Sequence, residues 1–168
     1  MKQDGAKVMV NLDQPSIQKY RMVSKQLADS SLLHELRTLF ERKYSLAELL
    51  DWIHERVKFD KGNIVRHNDP KEILAYGRGR CGEFSILFTA LCLAHNYRAR
   101  LILDMSDHVW AEVWDNSQKR WVHVDPSEKR IDDPFMYERD WKKTLHEIYA
   151  FENGKVENVT KNYKMMKD

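Results

Sequence analysis

A chain of 168 residues with 42% apolar and 32% charged side chains can bury a core and is too apolar to stay disordered. Its 28 basic and 26 acidic residues leave a formal charge of +2, which gives no electrostatic case for a nucleic-acid or membrane partner. No segment approaches the ~20 apolar residues that cross a bilayer, and the leading stretch MKQDGAKVMVNLDQ lacks the apolar run of a secretory signal, so a cytoplasmic protein is expected.

The first third reads as helices. Pro15 suits a first helical turn, and Ile17, Tyr20, Met22 and Leu27 follow at roughly helical spacing. A second helix is expected over Ser31 to Arg42, with Leu32, Leu33, Leu36, Leu39 and Phe40 as its apolar face. Ser45 and Glu48 make the reciprocal capping pattern of a third, striped by Leu46, Leu49, Leu50, Ile53 and Val57. Asp69-Pro70 with Glu72 opens a short helix ending near Gly77. Residues 81 to 95 read as a helix with Phe84, Leu87, Phe88 and Leu91 on one stripe. After His95 the period changes to two: RARLILDM, HVWAEVW and, beyond the turn DNSQK, RWVHVD are strands. EIYAFE and KVENV flank Asn153-Gly154 as a hairpin. Helices first and an antiparallel sheet afterwards make an α+β domain over 1–168, with a helical part over 1–60 and a core over 61–168.

The reactive residues gather at element ends. Cys81 is expected at a helix N-terminus, where the dipole and free amides favour a thiolate. Cys92, mid-helix beside the apolar stripe, reads as a packed residue. About 16 Å of helix separates the two, beyond the ~7 Å Cα reach of a disulfide, so both are expected as free thiols in a reducing compartment. His108 opens one strand and Asp125 ends the next, and the intervening turn brings both to one end of the sheet. An imidazole there can take the thiol proton while the carboxylate fixes its tautomer. Taken alone, these residues also fit a packed cysteine and a hydrogen-bonded structural histidine.

The remaining candidates are weaker. A metal site of His108, His123 and Asp125 has no HExxH motif or cysteine pair behind it, so neither metal nor cofactor is expected. Asp104, Asp107, Glu112 and Asp115 read mostly as solvated strand-end charges, with selection of a polar or amine-bearing substrate by one or two of them as the alternative. Trp110, Trp114 and Trp121 read as sheet core, with Trp110, two residues from His108, a candidate to line the cleft. An oxyanion formed at Cys81 would be held by its backbone N–H and one more donor, for which Asn68 and Trp52 are the candidates.

Three segments, GRGRCGEF, DHVWAEVW and RWVHVDPSE, resemble the ordered catalytic motifs of the transglutaminase-like superfamily, and within it those of the cytoplasmic peptide:N-glycanases. The likeness continues through DDPFMYERDWKKTLHEIYAFENGKVENVTKNY and back to NDPKEIL, covering residues 68 to 163. It implies a papain-like core whose cysteine-bearing helix packs on an antiparallel sheet, and it places the family's catalytic cysteine, histidine and aspartate on Cys81, His108 and Asp125. It departs at KFDKGNIVRHNDP, where the glycanases carry two CxxC pairs that bind zinc and this chain has no cysteine. It departs again at Phe84, where the glycanases often have tryptophan. The expected function is a thiol-dependent amidohydrolase acting through a thioester on an amide of a polypeptide or glycopeptide, with deglycosylation of N-linked glycopeptides as the glycanase version. A transglutaminase or a cysteine protease would share that thioester. A catalytically idle domain that binds a peptide or partner is the reading outside the enzymes.

Overall fold

The computed structural model describes residues 11–166. Residues 1–10, which carry most of the segment read for a targeting signal, lie outside the described residues. Helix α1 (Pro15–Gln26) starts at its proline and buries Ile17, Tyr20, Val23 and Ser24. Met22, expected on that face, is 60% exposed because it falls off the three-and-four spacing that Val23 keeps. Helix α2 (Ser30–Arg37) is capped by Asp29, whose carboxylate accepts the Leu32 amide at 2.9 Å. It stops five residues short of the expected Arg42. Leu39 N–H and Phe40 N–H bond to carbonyls three residues back, and the Arg37 guanidinium takes the Phe40 carbonyl. That tightened end leaves Leu39 exposed and turns Phe40 into a cage of Tyr44, Trp52 and His95. Helix α3 (Leu46–Arg56) forms with both halves of the Ser45–Glu48 capping box in place.

Two short strands, β1 (Lys58–Phe59) and β2 (Arg78–Gly79), pair in parallel on either side of α4 (Pro70–Tyr76). Gly77 ends α4 in the left-handed region at φ 74°, a conformation in which glycine carries no Cβ penalty. Immediately after β2 comes α5 (Cys81–Ala94), buried continuously from Gly82 to Cys92. It is a central helix with no solvent face, where the spacing had indicated one stripe. Phe84, Leu87, Phe88 and Leu91 are each 0% exposed, a burial worth roughly 1.5–3 kcal/mol per side chain.

The sheet holds β3 (Ala99–Asp104), β4 (His108–Asp115), β5 (Arg120–Asp125), β6 (Arg130–Ile131), β7 (Ile148–Glu152) and β8 (Lys155–Asn158). Its order is β6-β5-β4-β3-β7-β8, with every neighbouring pair antiparallel. Strand alternation splits the side chains between two faces. Leu101, Leu103, Val109, Ala111, Val113 and Val124 pack with α5. Ile102, Trp110 and Ala150 pack on the other face, under Met136 and Tyr137 of α6 (Met136–Arg139) and Tyr163 of the closing 3₁₀ turn. The architecture is α+β, with the cysteine-bearing helix on an antiparallel sheet. Two acids expected in solvent are buried instead. Asp104 is 0% exposed and takes the Ser106 hydroxyl at 2.7 Å, while Glu112 is 3% exposed between Arg100 and the Tyr163 hydroxyl. Both lie on the face that α6 and the C-terminal segment cover.

Candidate active site

Three element ends converge. Cys81 is the first residue of α5, His108 the first of β4, and Asp125 the last of β5. The Ser85 hydroxyl donates to the Val109 carbonyl at 3.1 Å, which fixes the first turn of α5 against the start of β4. At that end of the sheet the His108 ring is free to reach the helix N-terminus, where the Cys81 side chain stands beside it. On its other side, His108 Nε2 lies 2.9 Å from Asp125 Oδ2. With Nε2 committed to the carboxylate, Nδ1 is the ring nitrogen left for the thiol. The structure therefore brings together the three residues that the motifs singled out.

The carboxylate is held from several sides. Tyr137 donates its hydroxyl to Asp125 Oδ2 at 2.7 Å, and Ser127 donates to Oδ1 at 3.0 Å. Behind Tyr137 stands His123, whose Nε2 lies 2.8 Å from the Tyr137 oxygen. Its Nδ1 accepts the Asp133 amide at 3.1 Å, so Nε2 carries the proton and the donor chain runs from His123 through Tyr137 to Asp125. Burial opposes charge on His108, but its hydrogen bond to the Asp125 carboxylate and the neighbouring Cys81 sulfur outweigh it and raise its pKa to about 9. Burial likewise opposes charge on Asp125, yet the bond to His108 holds its carboxyl below the usual range. His123 has no such partner; burial lowers it to about 4 and keeps the ring neutral. The result is a protonated imidazole at neutral pH between the Asp125 carboxylate and the Cys81 sulfur.

Aromatic rings surround His108. Trp141 sits edge-on to His108 with ring centroids 5.0 Å apart, and Trp110 lies 5.6 Å away. Trp110 is 0% exposed and stacks on Tyr137 at 4.3 Å, so it underlies the histidine and does not line an open cleft. The strand period puts it on the face that α6 and Tyr163 close. The two oxyanion candidates lie elsewhere. Trp52 is core, flanked by Phe40 and the Arg56 guanidinium, which lies 4.0 Å from its ring centre. Asn68 is exposed in a groove of about 1180 Å³ between α1, α2 and α4. Spacing gave no sign of Tyr137, Trp141 or Tyr20, whose hydroxyl stands beside Gly82. All three lie outside the three motifs that carry Cys81, His108 and Asp125. His123 and Asp125, two apart on one strand face, were the available hint of the second histidine's place.

The stretch without zinc-binding cysteines is tied down differently. Glu83, two residues after Cys81 and 1% exposed, accepts Arg66 through both oxygens at 2.7 and 3.0 Å, the His67 amide at 3.1 Å and the Arg80 amide at 3.0 Å. Burial opposes its charge, but these donors outweigh that and lower its pKa. Among the described residues no group of three His, Cys, Asp or Glu side chains is placed to hold a metal ion.

The model of the transglutaminase-like superfamily matches residues 31–126, more than half of the chain. The chain belongs to the transglutaminase-like superfamily. Curated relatives of this transglutaminase-like chain include peptide-N(4)-(N-acetyl-beta-glucosaminyl)asparagine amidases. That of Drosophila melanogaster is 45% identical over 103 residues, 61% of this chain and 16% of the relative. That of Arabidopsis thaliana is 44% identical over 98 residues, 58% of this chain and 14% of the relative. That of Homo sapiens is 38% identical over 123 residues, 73% of this chain and 19% of the relative. The chain thus spans about a sixth of the length of such relatives, 16% for the fly protein. Among solved structures, Rad4-Rad23 bound to a 6-4 photoproduct UV lesion superposes with a TM-score of 0.67 over 89% of this chain and 46% of that one. At 16% identity the likeness is one of fold.

Proposed function

We propose that this transglutaminase-like chain is a cysteine amidohydrolase of the peptide:N-glycanase type, cleaving the side-chain amide that joins asparagine to a sugar. The placing of Cys81, at the N-terminus of α5, beside the hydrogen-bonded His108–Asp125 pair carries the reading. The identity to curated amidases over more than half the chain supports it. With the proton of the Cys81–His108 pair on His108 Nδ1, the sulfur adds to the amide carbonyl. The C–N bond breaks as His108 returns the proton to the departing glycosylamine, leaving a thioester. Water then adds to the thioester with His108 as base, Cys81 leaves, and the product is an aspartate side chain. Asp125 keeps the imidazole oriented and supports its charge throughout. We place this chemistry in a reducing compartment such as the cytoplasm, where Cys81 stays a thiol.

The test is a panel of an N-glycosylated peptide, the same peptide without sugar, and a glutamine peptide with an amine, with Cys81→Ala as the blank. Release of the glycan with conversion of asparagine to aspartate is expected. Cys81→Ala and His108→Ala should abolish it, and Asp125→Ala should reduce kcat by roughly 10³–10⁴-fold. Full turnover in Cys81→Ala would discard the mechanism. Cleavage of the bare peptide would indicate a protease, amine incorporation a transglutaminase, and no turnover of any member a binding domain.

A further inference from the structure

A thiol that attacks an amide creates a negatively charged oxygen, and that oxygen needs donors already in place. The N-terminus of α5 supplies part of the need. The first hydrogen bond into the helix runs from Phe84 N–H to the Arg80 carbonyl at 3.0 Å, so the amides of Cys81, Gly82 and Glu83 precede it and have no helical acceptor. A second, independent feature points at the same place. Tyr20 of α1 is 6% exposed, and its hydroxyl lies 3.1 Å from where a Cβ on Gly82 would stand. Among the described residues that hydroxyl has no hydrogen-bond partner. Burial, and after it the nearby Cys81, raise the phenol's pKa, so it keeps its proton and remains a donor. Arg66 approaches the same glycine, with Nη2 3.4 Å from the Cβ position, but its guanidinium is already committed to Glu83.

We propose that Tyr20 is a catalytic residue whose hydroxyl donates to the oxyanion formed at Cys81, completing with the Cys81 backbone N–H a two-donor oxyanion hole. The inference rests on the amidohydrolase reading above. As the C–S bond forms, the carbonyl π pair moves onto oxygen, and the Tyr20 hydroxyl and the Cys81 amide meet that charge. When the pair returns to re-form the carbonyl, the C–N bond breaks and the amine leaves with the proton from His108. Gly82 has no side chain to stand between the phenol and that oxygen.

The test separates the oxyanion from the thiol. A peptide bearing an aldehyde in place of the asparagine side-chain amide adds to Cys81 and forms a hemithioacetal oxygen that needs the hole. Iodoacetamide alkylates the same sulfur and forms no such oxygen. Tyr20→Phe keeps the ring that lies 6.1 Å from Phe151, so the melting temperature should hold. It should weaken aldehyde binding at least about tenfold and lower kcat on the glycosylated peptide roughly 10²-fold with KM little changed, leaving the alkylation rate and its pH profile unaltered. Gly82→Ala, whose methyl would meet the hydroxyl, should reproduce the loss of aldehyde affinity. Unchanged aldehyde affinity in Tyr20→Phe would overturn the proposal, and so would a parallel fall in alkylation, which would place Tyr20's effect on the sulfur. Unsubstituted protein that alkylates at Cys81 yet takes no aldehyde would overturn the amidohydrolase reading with it. That failure is recognisable because it precedes any variant.

Discussion

The two cysteines of one helix stand in opposite environments. Cys81 is half-buried beside His108, while Cys92 is 0% exposed with its thiol pKa raised by burial. Iodoacetamide at neutral pH should therefore label Cys81 alone in the folded protein and both in denaturant, a ratio that mass spectrometry reads directly. The two buried histidines set opposite edges of the stability profile. His108 titrates at about 9 when folded against 6.5 as the ordinary value, so its contribution is full below pH 6.5 and is lost as pH rises through 9. His123 titrates at about 4, so its contribution is full above pH 6.5 and is lost as pH falls through 4. Each is worth on the order of 3 kcal/mol at most. Thermal melts from acid to alkali should show both falls, with His108→Gln removing the alkaline one and His123→Gln the acid one. Tyr137→Phe takes one donor from Asp125 and strands the His123 Nε2 proton, at a cost of about 1–3 kcal/mol. It should also move the His108 titration upward by NMR, since a less solvated carboxylate binds the imidazolium more tightly. The triad was legible because its members lie in motifs at predicted element ends. Tyr20 and Tyr137 were not, because what makes a hydroxyl a donor at that site is where the packed chain leaves it, and no spacing encodes that.

At the scale of elements, capping and turn chemistry read correctly where they were local. Ser45–Glu48, Asp69-Pro70 and Asn153-Gly154 each appear where residue type placed them. The errors came from tertiary contacts. Helix α2 ends early because Phe40 is better buried among Tyr44, Trp52 and His95 than on a continued helix. Helix α5 is buried all round because α2 and α3 cover the side the sheet does not, and a stripe count cannot foresee a second layer. The segment from Lys58 to Pro70 shows how one sequence difference is absorbed. Asp60 accepts the Gly62 amide at 2.7 Å and Arg78 at 2.8 Å, and Glu83 gathers Arg66, His67 and Arg80, so side chains and the β1–β2 pairing fasten it to α5. Chelation with EDTA should accordingly leave the melting temperature and turnover unchanged, whereas stoichiometric zinc lost together with the fold would contradict this. Glu83→Ala should destabilise by about 1–3 kcal/mol, chiefly through the stranded His67 and Arg80 amides, because Arg66 is 43% exposed and can return to water. Calorimetry of that variant decides the point.

For the whole molecule, the reactive end of the sheet lies between α1 and the loops at Arg66 and Asp107, with Trp141 39% exposed above His108. No helix among the described residues is long and apolar enough to cross a membrane. The exposed Arg66 and Asp107 make a polar rim, which suits an extended polypeptide segment. Denatured glycoprotein should therefore be processed with a higher kcat/KM than a free asparagine amide at equal pH, and the reverse order would reject that substrate class. The α+β plan was legible from the change of hydrophobic period at His95, whereas the layering of helices on both sides of the buried elements required the third dimension. One property of the site reaches beyond its chemistry. Cys81, His108 and Asp125 each occupy the terminal position of their element, so none supplies the middle of a helix or the interior of a strand. Exchanging any of them leaves the ladders and the two apolar layers intact. What this scaffold does can therefore be altered without first having to reinvent how it folds.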